Sequence, residues 1–265
     1  MYIIISLYYL IFKHSKLSAE LNQINIYGEF MFISKELLTG ALKNFDIIIS
    51  EDEILKFDFV AKELVKFNDK INITSINDPD QIVIKHFADS LVIFKYIDVK
   101  KESRIIDVGT GGGFPGLPIL IYRPDLKITF LDSVDKKLTF VRNIINELGY
   151  ESEVVHARAE ELGHDENYRY KYDLSVSRAM ANLPVLAELC IPFVKNGGKF
   201  VSYKGDISDE ERENGINALK KLGIKKIDSY NYELSGKKII FEALKEKDIP
   251  ETYPRQFSKI KKKPL

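Results

Sequence analysis

The stretch Asp107-Val108-Gly109-Thr110-Gly111-Gly112-Gly113-Phe114-Pro115-Gly116 decides how this sequence folds. It sits between an apolar run, Arg104 to Val108, and a helix-like run that follows, so a strand is expected to enter a glycine turn and leave as a helix. Glycines in such a turn leave no room for side chains, reach positive φ, and let backbone amides face a ligand near the positive end of a helix. With Asp107 at the strand end, the spacing Asp-x-Gly-x-Gly-x-Gly suits the amino and ribose groups of S-adenosylmethionine. Gly111, Gly113 and Gly116 also spell G-x-G-x-x-G, the dinucleotide fingerprint, although Pro115 stiffens the turn where a dehydrogenase needs its helix to begin. A glycine-rich turn that holds no ligand is the third reading.

Outward from the turn, helix and strand signals alternate, the pattern of a parallel sheet covered on both faces. Strands are predicted over residues 104–108, 127–131, 153–156, 172–176 and 199–203. Two further runs, 227–234 and 239–244, are joined by Ser235-Gly236-Lys237-Lys238, a connection short enough only for an antiparallel hairpin. The expected fold is therefore α/β and Rossmann-like, of the class I S-adenosylmethionine-dependent methyltransferase type: a mostly parallel sheet with a C-terminal antiparallel hairpin. A dehydrogenase keeps its sheet parallel, so the topology favours methyl transfer over an NAD-dependent oxidoreductase, which remains the alternative. Asp132 ends the second strand, where an acid bonds vicinal ribose hydroxyls in either cofactor, or caps the helix that starts near Asp135. Arg158-Ala159-Glu160 follows the third strand, where adenine sits in such folds; otherwise Glu160 simply opens a helix.

Upstream, residues 31–100 read as a small helical subdomain preceding a methyltransferase domain over 101–265. Ser34 caps a first helix, and Ser50 with Glu53 forms a capping box for a second, whose apolar stripe is Leu55, Phe59, Leu64 and Phe67. Asp78-Pro79 starts another, carrying Ile84, Phe87, Leu91 and Phe94. Residues 1–30 differ in kind. Met1 to Phe12 is apolar but falls short of the roughly 20 residues that span a bilayer, and Lys13, His14 and Lys16 follow it instead of preceding it, unlike a signal peptide. Met31 opens a normal helix start, so residues 1–30 are expected to be an upstream-translated or non-native extension, the alternatives being a membrane anchor or a genuine extension, and no membrane partner is expected.

The chain of 265 residues is 45% hydrophobic, enough for one substantial core with an accessory element. Its 39 basic and 39 acidic side chains cancel, so no global field advertises a polyanionic partner. Basic charge is local: residues 236–265 hold nine Lys or Arg against four acids. Such a tail suits RNA phosphates, or is merely a solvated, disordered basic tail. A single cysteine, Cys190, excludes an internal disulfide or a cysteine zinc cluster and fits the cytoplasm; no metal is expected, and a monomer is.

The acceptor side is informative through its residue types. Enzymes that methylate exocyclic amines carry Asn/Asp-Pro-Pro-aromatic after the fourth strand, and this chain has Ser177-Arg178-Ala179-Met180. Cytosine-C5 enzymes need a cysteine nucleophile, and Cys190 sits in an apolar run with no basic neighbour to lower its pKa. What remains is an acceptor that is already nucleophilic, such as a ring nitrogen with a free lone pair. Holding it in line with an electrophilic methyl supplies on the order of 7–11 kcal/mol, so positioning does most of the work. His86 is a positioning candidate or a core hydrogen bonder; Arg178 is a positioning candidate or a buried strut.

From about Asn68 to Leu265 the sequence resembles the bacterial 16S ribosomal RNA (guanine-N7) methyltransferases of the RsmG, or GidB, family. The likeness rests on Asn72-Ile73-Thr74, His86-Phe87-Ala88-Asp89-Ser90-Leu91, the Asp107–Gly116 turn, Asp132-Ser133, Arg158-Ala159-Glu160, Ser177-Arg178-Ala179, Lys204-Gly205, and a tail of Tyr253-Pro254-Arg255 ending in Lys262-Lys263-Pro264-Leu265. The resemblance implies S-adenosylmethionine as donor and N7 of one guanosine near the decoding centre as acceptor, in 16S rRNA or the small ribosomal subunit. By position it implies cofactor contacts at Gly109, Phe114, Ala159, Glu160 and Arg178, beside those read from the turn and strand end at Asp107, Gly111, Gly113 and Asp132. Lys204, Arg255, Lys261, Lys262 and Lys263 are the residues expected to meet RNA, with Arg255 a third positioning candidate. A ribosome-assembly protein that keeps the fold without turnover is the remaining alternative.

Overall fold

A computed structural model describes residues 31–178 and 180–265. Residues 1–30, with the expected extension, and Ala179 lie outside the described residues. Seven strands form one sheet in the order β3-β2-β1-β4-β5-β7-β6. They are β1 (Arg104–Val108), β2 (Lys127–Asp132), β3 (Glu153–His156), β4 (Tyr172–Arg178), β5 (Val194–Lys204), β6 (Lys226–Glu233) and β7 (Lys237–Leu244). Strands β1 to β5 pair in parallel, and β7 runs antiparallel to both β5 and β6. The connections after β1 and β4 leave in opposite directions along the sheet, so a crevice opens at the carboxyl ends of these two strands. The Asp107–Gly116 turn sits there.

Strand neighbours alternate between two apolar layers, as the period of two requires. Ile105, Phe130, Val201 and Ile240 face one core cluster, while Ile106, Leu131, Phe200 and Phe241 face the other. A register shift in β4 between Tyr172 and Leu174 puts these two in opposite clusters despite their even spacing. The hairpin loop is 234–236, closed by the Leu234 N–H donating to Gly236 O at 3.1 Å. Lys237 and Lys238, expected in that loop, instead begin β7.

The first layer holds α1 (Lys35–Lys43), α2 (Glu51–Asn68), and a helical segment α3 over residues 79–96 built from Pro79–Ile82, the π-helical turn Val83–Ala88, Asp89–Leu91 and Ile93–Tyr96. It also holds α4 (Gly116–Tyr122) and α5 (Asp135–Leu148). The caps read from sequence are in place: Ser34 accepts from Leu37 N–H, Ser50 and Glu53 close a reciprocal box, and Asp78 accepts from Gln81 N–H. The stripe of α2 is rotated from the expected one. Ile54, Phe57, Ala61 and Leu64 are buried, while Leu55, Phe59 and Phe67 are only half-buried. Spacing alone does not choose between adjacent apolar rows; the position of the sheet does. The second layer holds α6 (Ala159–Leu162), α7 (Leu183–Cys190), α8 (Asp209–Lys221) and α9 (Phe257–Lys262). The tail is therefore ordered where a disordered one was the alternative: Ile260 is fully buried and Leu265 packs against the same cluster.

Candidate functional site

At the switch point lies a cleft of about 460 Å³, within the roughly 300–1,000 Å³ usual for small-molecule sites. Gly109, Gly111, Phe114, Asp132, Ala159, Glu160 and Arg178 line it, together with Thr74 from the loop between α2 and α3 and His86 from α3. Its nucleoside-like end is built by Asp132. One carboxylate oxygen accepts from Gly111 N–H at 2.8 Å and the other from Val134 N–H at 2.9 Å, which fixes the acid at the end of β2 and ties it to the glycine turn. The cap of α5 is Val134 and not Asp132. Glu160 both lines the cleft and sits in the first turn of α6, so the two readings of that residue are compatible.

Asp107 and Gly113, expected at the cofactor, lie beneath the turn and do not line the cleft. The Asp107 carboxylate is fully buried and braces the turn, with Oδ2 accepting from the Thr110 hydroxyl at 2.6 Å and from Gly116 N–H at 2.9 Å. A Cβ on Gly113 would fall 2.4 Å from Leu117 Cδ1, so that glycine serves helix packing. The expectation of a turn without room for side chains also fails at Gly111, where an added Cβ meets no atom within 4 Å, although φ is +57°. The open volume on that side belongs to the cleft. A backbone conformation that favours glycine, facing empty space beside a strand-end acid, fits a nucleoside cofactor with an amino-acid tail.

Burial pushes the Asp107 carboxyl up to about 6, against the hydrogen bonds from Thr110 and Gly116 that favour its charged form. The folded state thus binds a proton more tightly than the unfolded chain, whose carboxyl titrates near 3.8. Stability linked to this group is complete below about pH 4 and is lost as pH rises through about 6, a change on the order of 3 kcal/mol. Asp107→Asn should remove that slope, so the melting temperature of the variant relative to wild type rises between pH 4 and pH 7. A pH-independent difference would contradict the burial argument.

The opposite end of the cleft is a polar network joining the helical layer to the sheet. Asp89, buried on α3, accepts from Arg178 Nη1 at 3.0 Å, from the Tyr232 hydroxyl at 2.9 Å and from Lys238 Nζ at 2.8 Å. Arg178 also donates to Lys85 O at 2.9 Å and lies over the Phe114 ring, its carbon 5.5 Å from the ring centre. It is therefore both a strut and a wall of the cleft. His86 projects from the π-helical turn, a local irregularity common at functional positions, and stacks on Phe114 at 4.4 Å and 10°. Burial, with the Arg178 charge beside it, holds the imidazole down at about 3, so it is neutral at physiological pH.

Two residues expected at RNA are engaged internally. Lys204 donates to Ala181 O at 2.9 Å and pairs with Glu211 at 2.8 Å. Arg255 forms a two-pronged pair with Glu188, which is fully buried in α7, through Nε at 2.8 Å and Nη2 at 2.6 Å. Lys238 and Lys245 are likewise spent on Asp89 and Asp248, which reduces the basic field inferred from counting charges. Lys261, Lys262 and Lys263 are exposed, as is Lys259. Lys259 and Lys261 border a wide groove of about 1,040 Å³ that shares Arg158, Glu160 and Phe257 with the cleft. Cys190 is buried, with its thiol pushed far up by burial.

No role was read from sequence for Asn68, Thr74 or Asp89, although Thr74 and Asp89 lie in blocks that carry the resemblance. Asn68 folds the 73–77 loop over the cleft: its amide donates to Thr74 O and Asn77 Oδ1, both at 2.7 Å, and its carbonyl accepts from Ile73 and Thr74 N–H. The available signal was polarity on an otherwise apolar helix face, Asn68 after Leu64 and Asp89 between Phe87 and Leu91.

A parallel sheet closed by one reversed strand, with a glycine turn and a strand-end acid at its switch point, is the architecture of class I S-adenosylmethionine-dependent methyltransferases, and S-adenosylmethionine is the cofactor of this enzyme. A solved structure of such an enzyme from Aquifex aeolicus aligns with 65% of this chain and 96% of its own, at 20% identity and a TM-score of 0.49. The family model described as rRNA small subunit methyltransferase G matches residues 53–238. Ribosomal RNA small subunit methyltransferase G of Acetivibrio thermocellus is 44% identical over 236 residues, 87% of this chain and 96% of that protein. The namesakes from Thermoanaerobacter sp. and Clostridium beijerinckii are 41% and 39% identical, covering 98% of each. The chain belongs to the small subunit rRNA methyltransferase G family.

Proposed function

We propose that this enzyme methylates 16S rRNA, at N7 of a guanosine near the decoding centre, by direct in-line transfer without a covalent enzyme intermediate. The observation that carries the ring-nitrogen acceptor is the state of His86: Nε2 is engaged by the Thr74 hydroxyl at 3.0 Å and Nδ1 by Arg178 at 3.3 Å. A neutral imidazole with both nitrogens occupied does not take a proton from an acceptor, and a purine N7 has none to give. When bound, S-adenosylmethionine supplies an electrophilic methyl group on its sulfonium, which a lone pair attacks while the departing pair stays on sulfur. Gly109, Gly111, Phe114, Asp132, Ala159, Glu160 and Arg178 would hold it, with Asp107 and Gly113 bracing the turn from below. His86, Arg178 and Thr74 then shape the acceptor end and exclude water.

The test is transfer of labelled methyl to undermethylated 16S rRNA or small subunits, with chain cleavage at 7-methylguanosine to map the product. Cleavage at one guanosine supports the proposal; transfer to a different atom refutes the N7 assignment.

Lys259, Lys261, Lys262 and Lys263 are proposed to meet phosphate along the groove. Neutralising all four should lower the slope of log affinity against log salt by about 3. An unchanged slope would mean that the ordered tail serves another purpose. We further place the enzyme in the cytoplasm, as a monomer without a membrane partner. No helix among the described residues is long and apolar enough to cross a membrane, and the exposed large apolar side chains there are the scattered Ile48, Val134 and Phe257. Sedimentation at micromolar concentration tests the monomer.

A further inference from the structure

The Thr74 hydroxyl is held in a way that leaves it one role. His86 Nδ1 faces a guanidinium nitrogen of Arg178 at 3.3 Å, and arginine only donates, so Nδ1 must accept and the imidazole proton sits on Nε2. Nε2–H then donates to Thr74 Oγ1 at 3.0 Å, and Ile76 N–H donates to the same oxygen at 3.1 Å. Both lone pairs of the hydroxyl are taken. Its own hydrogen is left over, on a residue that lines the cleft. The arrangement is a donor whose reversal would cost two hydrogen bonds. Asn68 fixes the backbone of the same residue from both sides, through Thr74 N–H at 2.9 Å and Thr74 O at 2.7 Å, so the loop does not swing the hydroxyl away.

The cleft has two ends, and Thr74 is at the one remote from the ribose-binding acid. Asp132 is tied to Gly111 and Val134, whereas Thr74 is bonded to His86, which stacks on Phe114 and touches Arg178. The proposal seats the acceptor base on that side, away from Asp132. A guanine presented for reaction at N7 carries O6 on the same edge, an acceptor; adenine carries an amino donor there. We propose that Thr74 donates to O6 of the acceptor guanine and so makes the enzyme reject adenine, whose amino group would meet the hydroxyl donor to donor. The inference rests on the guanine-N7 reading above and assigns the residue that reads the base.

The test compares Thr74→Val and Thr74→Ser with wild type on undermethylated small subunits, alongside calorimetry with S-adenosylhomocysteine. Thr74→Val should lower kcat/KM about 10- to 100-fold, leave the calorimetric affinity within about twofold, and be rescued by Thr74→Ser. With the target guanosine replaced by 2-aminopurine, which keeps N7 and lacks O6, wild type should lose the same factor and Thr74→Val should lose nothing further. The proposal is overturned by an equal loss of S-adenosylhomocysteine affinity, which would assign the hydroxyl to the cofactor. It is also overturned by a melting-temperature drop that Thr74→Ser does not repair, or by additive losses with 2-aminopurine. Product mapping separates the two levels. Wild type that modifies no guanosine N7 defeats the functional reading itself, whereas wild type that does so with Thr74→Val unaffected defeats only the role of Thr74.

Discussion

Gly111→Val should abolish cofactor binding, with calorimetric affinity for S-adenosylmethionine lowered about 100-fold or more while the protein still melts cooperatively. The reason is local to one backbone position. Gly111 has φ +57° and its N–H donates to Asp132 Oδ2 at 2.8 Å, so the turn and the strand-end acid are set by the same residue. An L side chain in that region costs about 1–2 kcal/mol, and a β-branched one more. If the strain is absorbed by rotating the peptide, Asp132 loses its partner. If it is not, the two γ carbons occupy the open volume in which a ligand must lie. Either route loses binding, and neither disturbs the core, because no atom lies within 4 Å of an added Cβ. Gly111→Asn separates the causes, since asparagine visits the left-handed region readily: it should keep stability near wild type and still weaken binding by bulk. Unchanged affinity in the valine variant would mean that the turn is not the cradle. Gly116→Val makes the contrast, because its Cβ would stand 2.4 Å from Phe130 Cε1 and 2.8 Å from the Asp107 carboxylate, so there the fold should fail before binding is measurable.

What the sequence disclosed and what it concealed divide along a physical line. Local signals were legible: the serine and aspartate caps, the strand-turn-helix at Gly109 to Gly116, and the hairpin that reverses β7 each depend on residues a few positions apart. The partner of a charged side chain was not. Lys204, Arg255 and Lys238 were all read from sequence as available positive charge, yet each is paired with an acid 7, 67 or 149 positions away. Composition counts such charges as free; only the fold shows them spent. The same limit hid the network around Asp89, whose three donors come from β4, β6 and β7. A buried acid on an amphipathic helix says that donors must converge on it, but not which ones. Gly113 and Asp107 lie off the cleft lining for a related reason: spacing places a residue in a turn without saying which side of the turn it faces.

Arg255→Ala should cost stability and not base-independent RNA affinity, although its place in a basic tail suggests the opposite. Glu188 is fully buried, and both of its oxygens accept from Arg255: Oε1 from the backbone N–H and Nε, each at 2.8 Å, and Oε2 from Nη2 at 2.6 Å. Removing the guanidinium leaves a carboxylate with a single backbone donor in an apolar layer. Breaking such a pair by deleting one partner costs about 3–5 kcal/mol. For a chain of this size that is a fall in melting temperature of about 10 °C. Restoring neutrality should recover much of it: Glu188→Gln keeps an acceptor for the Arg255 N–H without the charge, so the double variant should be more stable than Arg255→Ala alone. The salt dependence of RNA binding separates a clamp from a phosphate contact. Loss of one phosphate contact would flatten the slope by about 1, whereas a clamp whose loss merely loosens α9 lowers affinity in proportion to the unfolded fraction and leaves the slope unchanged wherever the tail is docked. A flattened slope in a variant whose melting temperature equals that of wild type would return Arg255 to the RNA. The geometry argues for the clamp: Nη2 also donates to Lys263 O at 3.1 Å, so one side chain holds the start of the tail, its end and helix α7 together.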